Sequence, residues 1–205
     1  MRKFGKINKI TKIEEVYHSK FLNVFEIYYK TELGNEKKWM VASRKNLEDY
    51  KKMLYKEEKF RNDAVIIVPL ETNRDALVLI REFRIPINDY IYSLPAGLID
   101  PGEDIYESAV REMYEETGLE LYEIDKKKSC NKAFASVGMS DESLAIIYGK
   151  VRGEFSTKGQ EESEIIEPIY VDRKMAKEIL TSDANIDIKA WLILKEFVEK
   201  ESKKF

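Results

Sequence analysis

The chain has 205 residues, of which 43% are hydrophobic and 36% charged, and its net charge is −3. That is enough apolar material for one well-buried domain plus a small appended module, and the near balance of charge disfavours nucleic acid and membrane surfaces as partners. Cys130 is the only cysteine, which excludes an internal disulfide. The opening MRKFGKINKITK has no apolar h-region and the longest apolar run, Ala64 to Val68, is too short to span a bilayer, so a cytoplasmic protein is expected.

From Ile7 to Arg44 the pattern is β. Ile7, Ile10, Ile13 and Val16 make an irregular first strand, Asn23 to Thr31 a second, and Lys38 to Ser43 a third after the turn at Gly34-Asn35. Three short strands form a sheet too small to stand alone, which predicts that it leans on the main domain or on a second subunit. His18, the single histidine, has no nucleophile motif near it and is read as structural. Asn46 to Phe60 switches to helical spacing, with Leu47, Tyr50 and Leu54 on one face, and reads as a connecting helix.

Ala64 to Leu70 and Ala76 to Arg81 are apolar strands joined by a turn, and Tyr90 to Leu94 is a further strand. It delivers the chain to GLIDPGEDIYESAVREMYEETGL, residues 97–119. Pro101-Gly102 marks a turn, acids stand at the start of the following helix, and Gly118 is a natural terminator, so the helix is expected over about Asp104 to Thr117. Counting at 100° per residue puts Ile105, Ala109, Val110 and Met113 on one face and Glu112, Glu115 and Glu116 on another arc. Like charges at such spacings destabilise a helix by a few tenths of a kcal/mol per pair. A solvated acidic face is one reading; the other is an all-oxygen site for a hard cation, Mg²⁺ or Mn²⁺.

Leu121 to Ile124 and Ala133 to Ser136 read as short edge strands, Leu144 to Val151 as a clear strand, and Arg152 to Ser163 as a polar loop. Cys130 between them is read as packing. A strand from Ile165 to Val171 and helices over Arg173 to Leu180 and Asp187 to Lys200 close the chain, the last with Ile188, Trp191, Leu192, Lys195 and Val198 as its core stripe. This order predicts an α/β sandwich with a mixed sheet after a small antiparallel β module, divided into residues 1–61 and 62–205.

Gly97, Glu103, Arg111, Glu112, Glu115, Glu116 and Gly118 stand at the spacing of the Nudix signature, and the chain resembles the Nudix hydrolases over about Asp63 to Phe205. The resemblance implies an α/β/α sandwich. It also implies Glu112, Glu115, Glu116 and the carbonyl of Ala96 as ligands of Mg²⁺, with Mn²⁺ an alternative, and Glu103 with Arg111 as supports of the loop that starts at Gly97. LIREFRIPINDYIYSLPAGLIDPGE and KKWMVASR are similar to segments of the ADP-ribose pyrophosphatase branch. That implies Arg84, Arg44 and Trp39 as substrate contacts, with sheet packing the plain reading of Trp39, and a homodimer in which the N-terminal sheet is exchanged. Ser136-Val137-Gly138 and Glu82-Phe83-Arg84 depart from that branch, which has proline and glutamine in place of Val137 and Glu82.

The implied reaction is Mg²⁺-dependent hydrolysis of ADP-ribose or a similar nucleoside diphosphate sugar, with Glu164 or Glu162 as the base and Glu115 assisting. Rival readings are hydrolysis of another diphosphate, such as a nucleoside triphosphate or dinucleoside polyphosphate, and a silent nucleotide-binding domain.

Overall fold

The computed structural model describes residues 9–160 and 165–200. The described residues up to Arg61, together with Phe134–Ser143, form one compact unit; Asn62–Ala133 and the described residues from Leu144 onward form the other.

In the first unit β1 (Ile10–Tyr17), β2 (Asn23–Lys30) and β3 (Glu36–Ser43) make an antiparallel sheet in that order, and α1 (Leu47–Tyr55) follows. Of the expected first strand, Ile7 lies outside the described residues, and Val16 is exposed. Alternation puts Ile13, Phe25, Ile27 and Val41 on one face, where they pack with Tyr50 of α1, and Phe25 stacks on Tyr50 with centroids 4.7 Å apart. The sheet thus finds its cover in α1, which is a packing element and not a mere connector. Asn46 caps this helix, accepting from the Asp49 amide at 2.9 Å, and Lys56 ends it in a left-handed turn, several residues before Phe60. Segment 134–143 runs beside β3: the Ala42 amide donates to the Met139 carbonyl at 2.8 Å, and Lys45 pairs with Asp141 at 3.1 Å.

The second unit is built on β4 (Ala64–Glu71), β5 (Ala76–Arg84), β10 (Ser143–Arg152), β11 (Ile166–Val171) and β8 (Glu120–Tyr122), ordered β11-β5-β4-β10-β8. β4 and β10 are parallel and the rest of the path is antiparallel, so the sheet is mixed. β6 (Asp89–Ser93) pairs with β5, β7 (Ala96–Leu98) with β4, and β9 (Cys130–Phe134) with β10. Residues 65–69 of β4 are all buried, as a strand covered on both faces requires. Val65, Ile67, Val78, Ala145 and Ile147 pack with Ala109 and Met113 of α2 (Ile105–Thr117), while α3 (Arg173–Thr181) and α4 (Ile188–Glu199) pack on each other.

Three expectations change here. Val110 is exposed, because the buried stripe of α2 runs through Ala109, Glu112, Met113 and Glu116. The stripe of α4 that packs is Ala190, Leu194 and Phe197, whereas Ile188, Trp191 and Leu192 face solvent. Cys130 is exposed as well, its thiol 3.4 Å from the Lys132 carbonyl. No helix among the described residues is long and apolar enough to cross a membrane.

Candidate active site

The 97–119 stretch forms β7, a turn and α2. Asp104 caps the helix in a reciprocal box: its carboxylate accepts from the amides of Tyr106 (2.7 Å) and Glu107 (3.0 Å), and Glu107 returns to the Asp104 amide at 2.9 Å. Gly118, at φ 78°, closes the helix by donating to the Tyr114 carbonyl. Both ends are therefore set by local chemistry, and the side chains between them inherit a defined rotation against the sheet.

That rotation divides the acids. Glu112 and Glu116, one turn apart, are 9% and 4% exposed, while Glu115 stands half-buried at the rim. Both buried carboxylates reach β7: Glu116 Oε2 accepts from the Ala96 amide at 3.1 Å, and the Glu112 carboxyl fills the space in front of Gly97, where an added Cβ would lie 1.9 Å from its Cδ. Gly97 is needed for the close approach of a side chain and not for a positive φ.

Arg111 ties the cluster together. Its Nε and one terminal nitrogen donate to the two oxygens of Glu103, each at 2.9 Å, and the same terminal nitrogen donates to the Leu98 carbonyl at 3.0 Å. The other terminal nitrogen donates to Glu112 at 2.8 Å and Glu115 at 3.0 Å. A two-pronged pair of this kind fixes direction as well as distance. With Arg111 and the Ser108 hydroxyl (2.7 Å) both donating to it, the Glu103 carboxyl is held down to about 2, and the same carboxylates push the Arg111 guanidinium upward.

Among the described residues no group of three or more acidic, histidine or cysteine side chains is already arranged to hold a metal ion. Glu112 and Glu115 both accept hydrogen bonds from Arg111. The donor set nonetheless fits a hard divalent cation, being all carboxylate, with Glu112 and Glu116 converging on two consecutive residues of one strand. Turning Glu112 or Glu115 off Arg111 is a side-chain rotation.

The other sequence-derived candidates fall as follows. Arg84 ends β5; by the two-residue repeat from Val78, it and Glu82 stand on the α2 face of the sheet. Trp39, 48% exposed, and Arg44, paired with Glu142 at 3.4 Å, belong to the first unit. Glu162 and Glu164 lie outside the described residues. Two contributors were missed by sequence reasoning. Ser108 is fully buried and donates to Glu103, at a helix position that carries no sequence signal. Gln160 donates from one side-chain nitrogen to the Glu116 carbonyl (2.8 Å) and the Ile166 carbonyl (3.1 Å), joining the end of α2 to the start of β11. Its residue type in a polar loop announces nothing.

The family model described as NUDIX domain matches residues 60–192. An ADP-ribose pyrophosphatase of Saccharomyces cerevisiae is 28% identical over 147 residues, covering 70% of this chain and 58% of that protein. One from Bacillus subtilis is 26% identical over 152 residues, covering 71% and 80%. A crystal structure of an ADP compounds hydrolase superposes with a TM-score of 0.69 at 21% identity, covering 95% of this chain and 97% of the other, which shows a shared fold. The chain spans about three fifths of the length of the first curated relatives it matches.

Proposed function

The chain belongs to the Nudix family, and from that premise we propose that it hydrolyses the diphosphate bond of ADP-ribose or a similar nucleoside diphosphate sugar to a nucleoside monophosphate and a sugar phosphate. The observation that carries the reading is the pair of buried carboxylates, Glu112 and Glu116, brought one turn apart against β7 and backed by the Glu103–Arg111 lock. Two carboxyl groups buried side by side on a helix mark a candidate functional site. The names of the yeast and Bacillus relatives support the substrate class.

In this reading Glu112 and Glu116, joined by Glu115 and the Ala96 carbonyl, hold Mg²⁺, with Mn²⁺ an alternative. When bound, the cation supplies charge neutralisation for the diphosphate and acidifies water. Gly97 leaves room for the Glu112 carboxyl, and Arg111 with Glu103 holds the loop against the helix. Water attacks one phosphorus, the bridging P–O bond breaks, and the proton of the water passes to Glu164 or Glu162. Arg84 offers its planar donors to phosphate oxygens, as Arg44 does, and Trp39 gives a rigid face for a base. Residues 1–61 act as a substrate-binding and dimer-forming module in a cytoplasmic homodimer, with residues 62–205 as the hydrolase domain. No nucleic acid or membrane partner is assigned.

The test is a panel of ADP-ribose, ADP-glucose, GDP-mannose, diadenosine polyphosphates and nucleoside triphosphates with Mg²⁺ and product identification. The expected result is AMP and ribose phosphate from ADP-ribose as the best reaction. Cleavage confined to nucleoside triphosphates or dinucleoside polyphosphates, or none at all, overturns it.

A further inference from the structure

Arg84 does not stand free at the end of β5. Its Nε lies 3.0 Å from a carboxylate oxygen of Glu82, two residues back on the same face of the strand, and among the described residues this is the guanidinium's one ion pair. The two partners differ in environment: the Glu82 side chain is 14% exposed and the Arg84 side chain 57%. Glu82 is flanked by Ile91 of β6 and Ile166 of β11, so its backbone is held on both sides. The negative charge is thus the more buried, poorly screened member of the pair, and the positive charge is the member presented outward. With Nε turned to Glu82, the terminal nitrogens remain for a ligand's oxygens.

We propose that Glu82 is a specificity-determining residue, a charge filter acting through Arg84. It favours diphosphate diesters, in which each phosphate carries one negative charge, over compounds that end in a doubly charged terminal phosphate. The inference rests on Arg84 being a substrate contact, as read above. Part of the guanidinium's field is spent on Glu82, so an additional ligand charge meets repulsion from a largely buried carboxylate. The penalty grows with the charge of the ligand and not with its size.

The experiment measures kcat and KM for ADP-ribose and for ATP at fixed free Mg²⁺ in the wild type, Glu82→Gln and Arg84→Ala. Glutamine keeps an oxygen for Nε and removes the charge. The expected result is a rise of about tenfold in the ATP to ADP-ribose ratio of kcat/KM in Glu82→Gln, carried by KM for ATP, while Arg84→Ala weakens both substrates. A merely structural Glu82 would lower both substrates alike; an unchanged ratio overturns the proposal. If Arg84→Ala leaves both KM values unchanged, the Arg84 contact itself fails and takes the filter with it. Should Glu82→Gln not fold, Glu82→Ala removes the same charge: the same rise in the ratio is expected, and a ratio at the wild-type value counts against the filter.

Discussion

Gly97 sets the geometry of the acidic cluster, because the carboxyl of Glu112 occupies the space a side chain there would need. The clash is with the far end of a flexible side chain and not with backbone. Gly97→Ala is therefore expected to change stability by no more than about 1 kcal/mol while displacing the carboxylate, and displacements near 1 Å cost about 10² in rate. Melting temperature and kcat, measured together, separate the two effects. Glu116→Gln keeps an acceptor for the Ala96 amide and removes the charge, so it is expected to fold normally and to lose about 10² or more in kcat with little change in KM. A fully active variant would remove Glu116 from the metal site. Glu103 adds a pH dependence. Its folded value of about 2 is below the ordinary 4.5, so the pair's stabilisation is fully present above about pH 4.5 and is lost as pH falls toward about 2. Denaturant midpoints across that window should fall less steeply in Glu103→Gln than in the wild type.

At the scale of elements, α2 is sided by what the sheet offers it. Its apolar stripe is narrow, Ala109 and Met113, and the helix turns far enough for Glu112 and Glu116 to share the buried side. The end of the helix depends on the loop that returns to it: the Ser156 amide donates to the Thr117 carbonyl at 2.9 Å, and Gln160 caps the Glu116 carbonyl. Gln160→Ala removes two hydrogen bonds and is expected to cost about 1–2 kcal/mol, read from the shift in denaturant midpoint. Gln160→Glu is the sharper comparison, since a carboxylate cannot donate to either carbonyl. It should be at least as damaging despite its shape, and a stability equal to wild type would show that neither bond contributes.

At the scale of the whole molecule, the N-terminal sheet finds its cover in α1 within its own unit, through Phe25, Ile27, Val41 and Tyr50. Its apolar face therefore does not require a second subunit. The case for a dimer rests instead on Trp39 and Arg44, far in sequence from the acidic helix and proposed to serve the same substrate. Light scattering at micromolar concentration is expected to give twice the 24.1 kDa chain mass. A fully active monomer would count against the shared site.

What the sequence determined by itself was whatever depends on neighbours along the chain. The N-terminal acids and Gly118 bounded α2 to within a residue, β-branched, aromatic and apolar runs placed β2, β4 and β10, and the spacing of seven residues in 97–119 identified the family that the match over residues 60–192 then showed. What only the tertiary structure decided was which side of each element meets the core, and what fills the space between elements. A stripe at helical spacing in α4 looked buried and is exposed, because burial belongs to the face that finds a partner and not to the one with the better period. β7 is three residues long, too short for any periodicity, and exists because β4 pairs with it. The pairing of Glu82 with Arg84, the space at Gly97 and the reach of Gln160 are distances between side chains, and distances across a fold are absent from a string of residues until the chain has closed on itself.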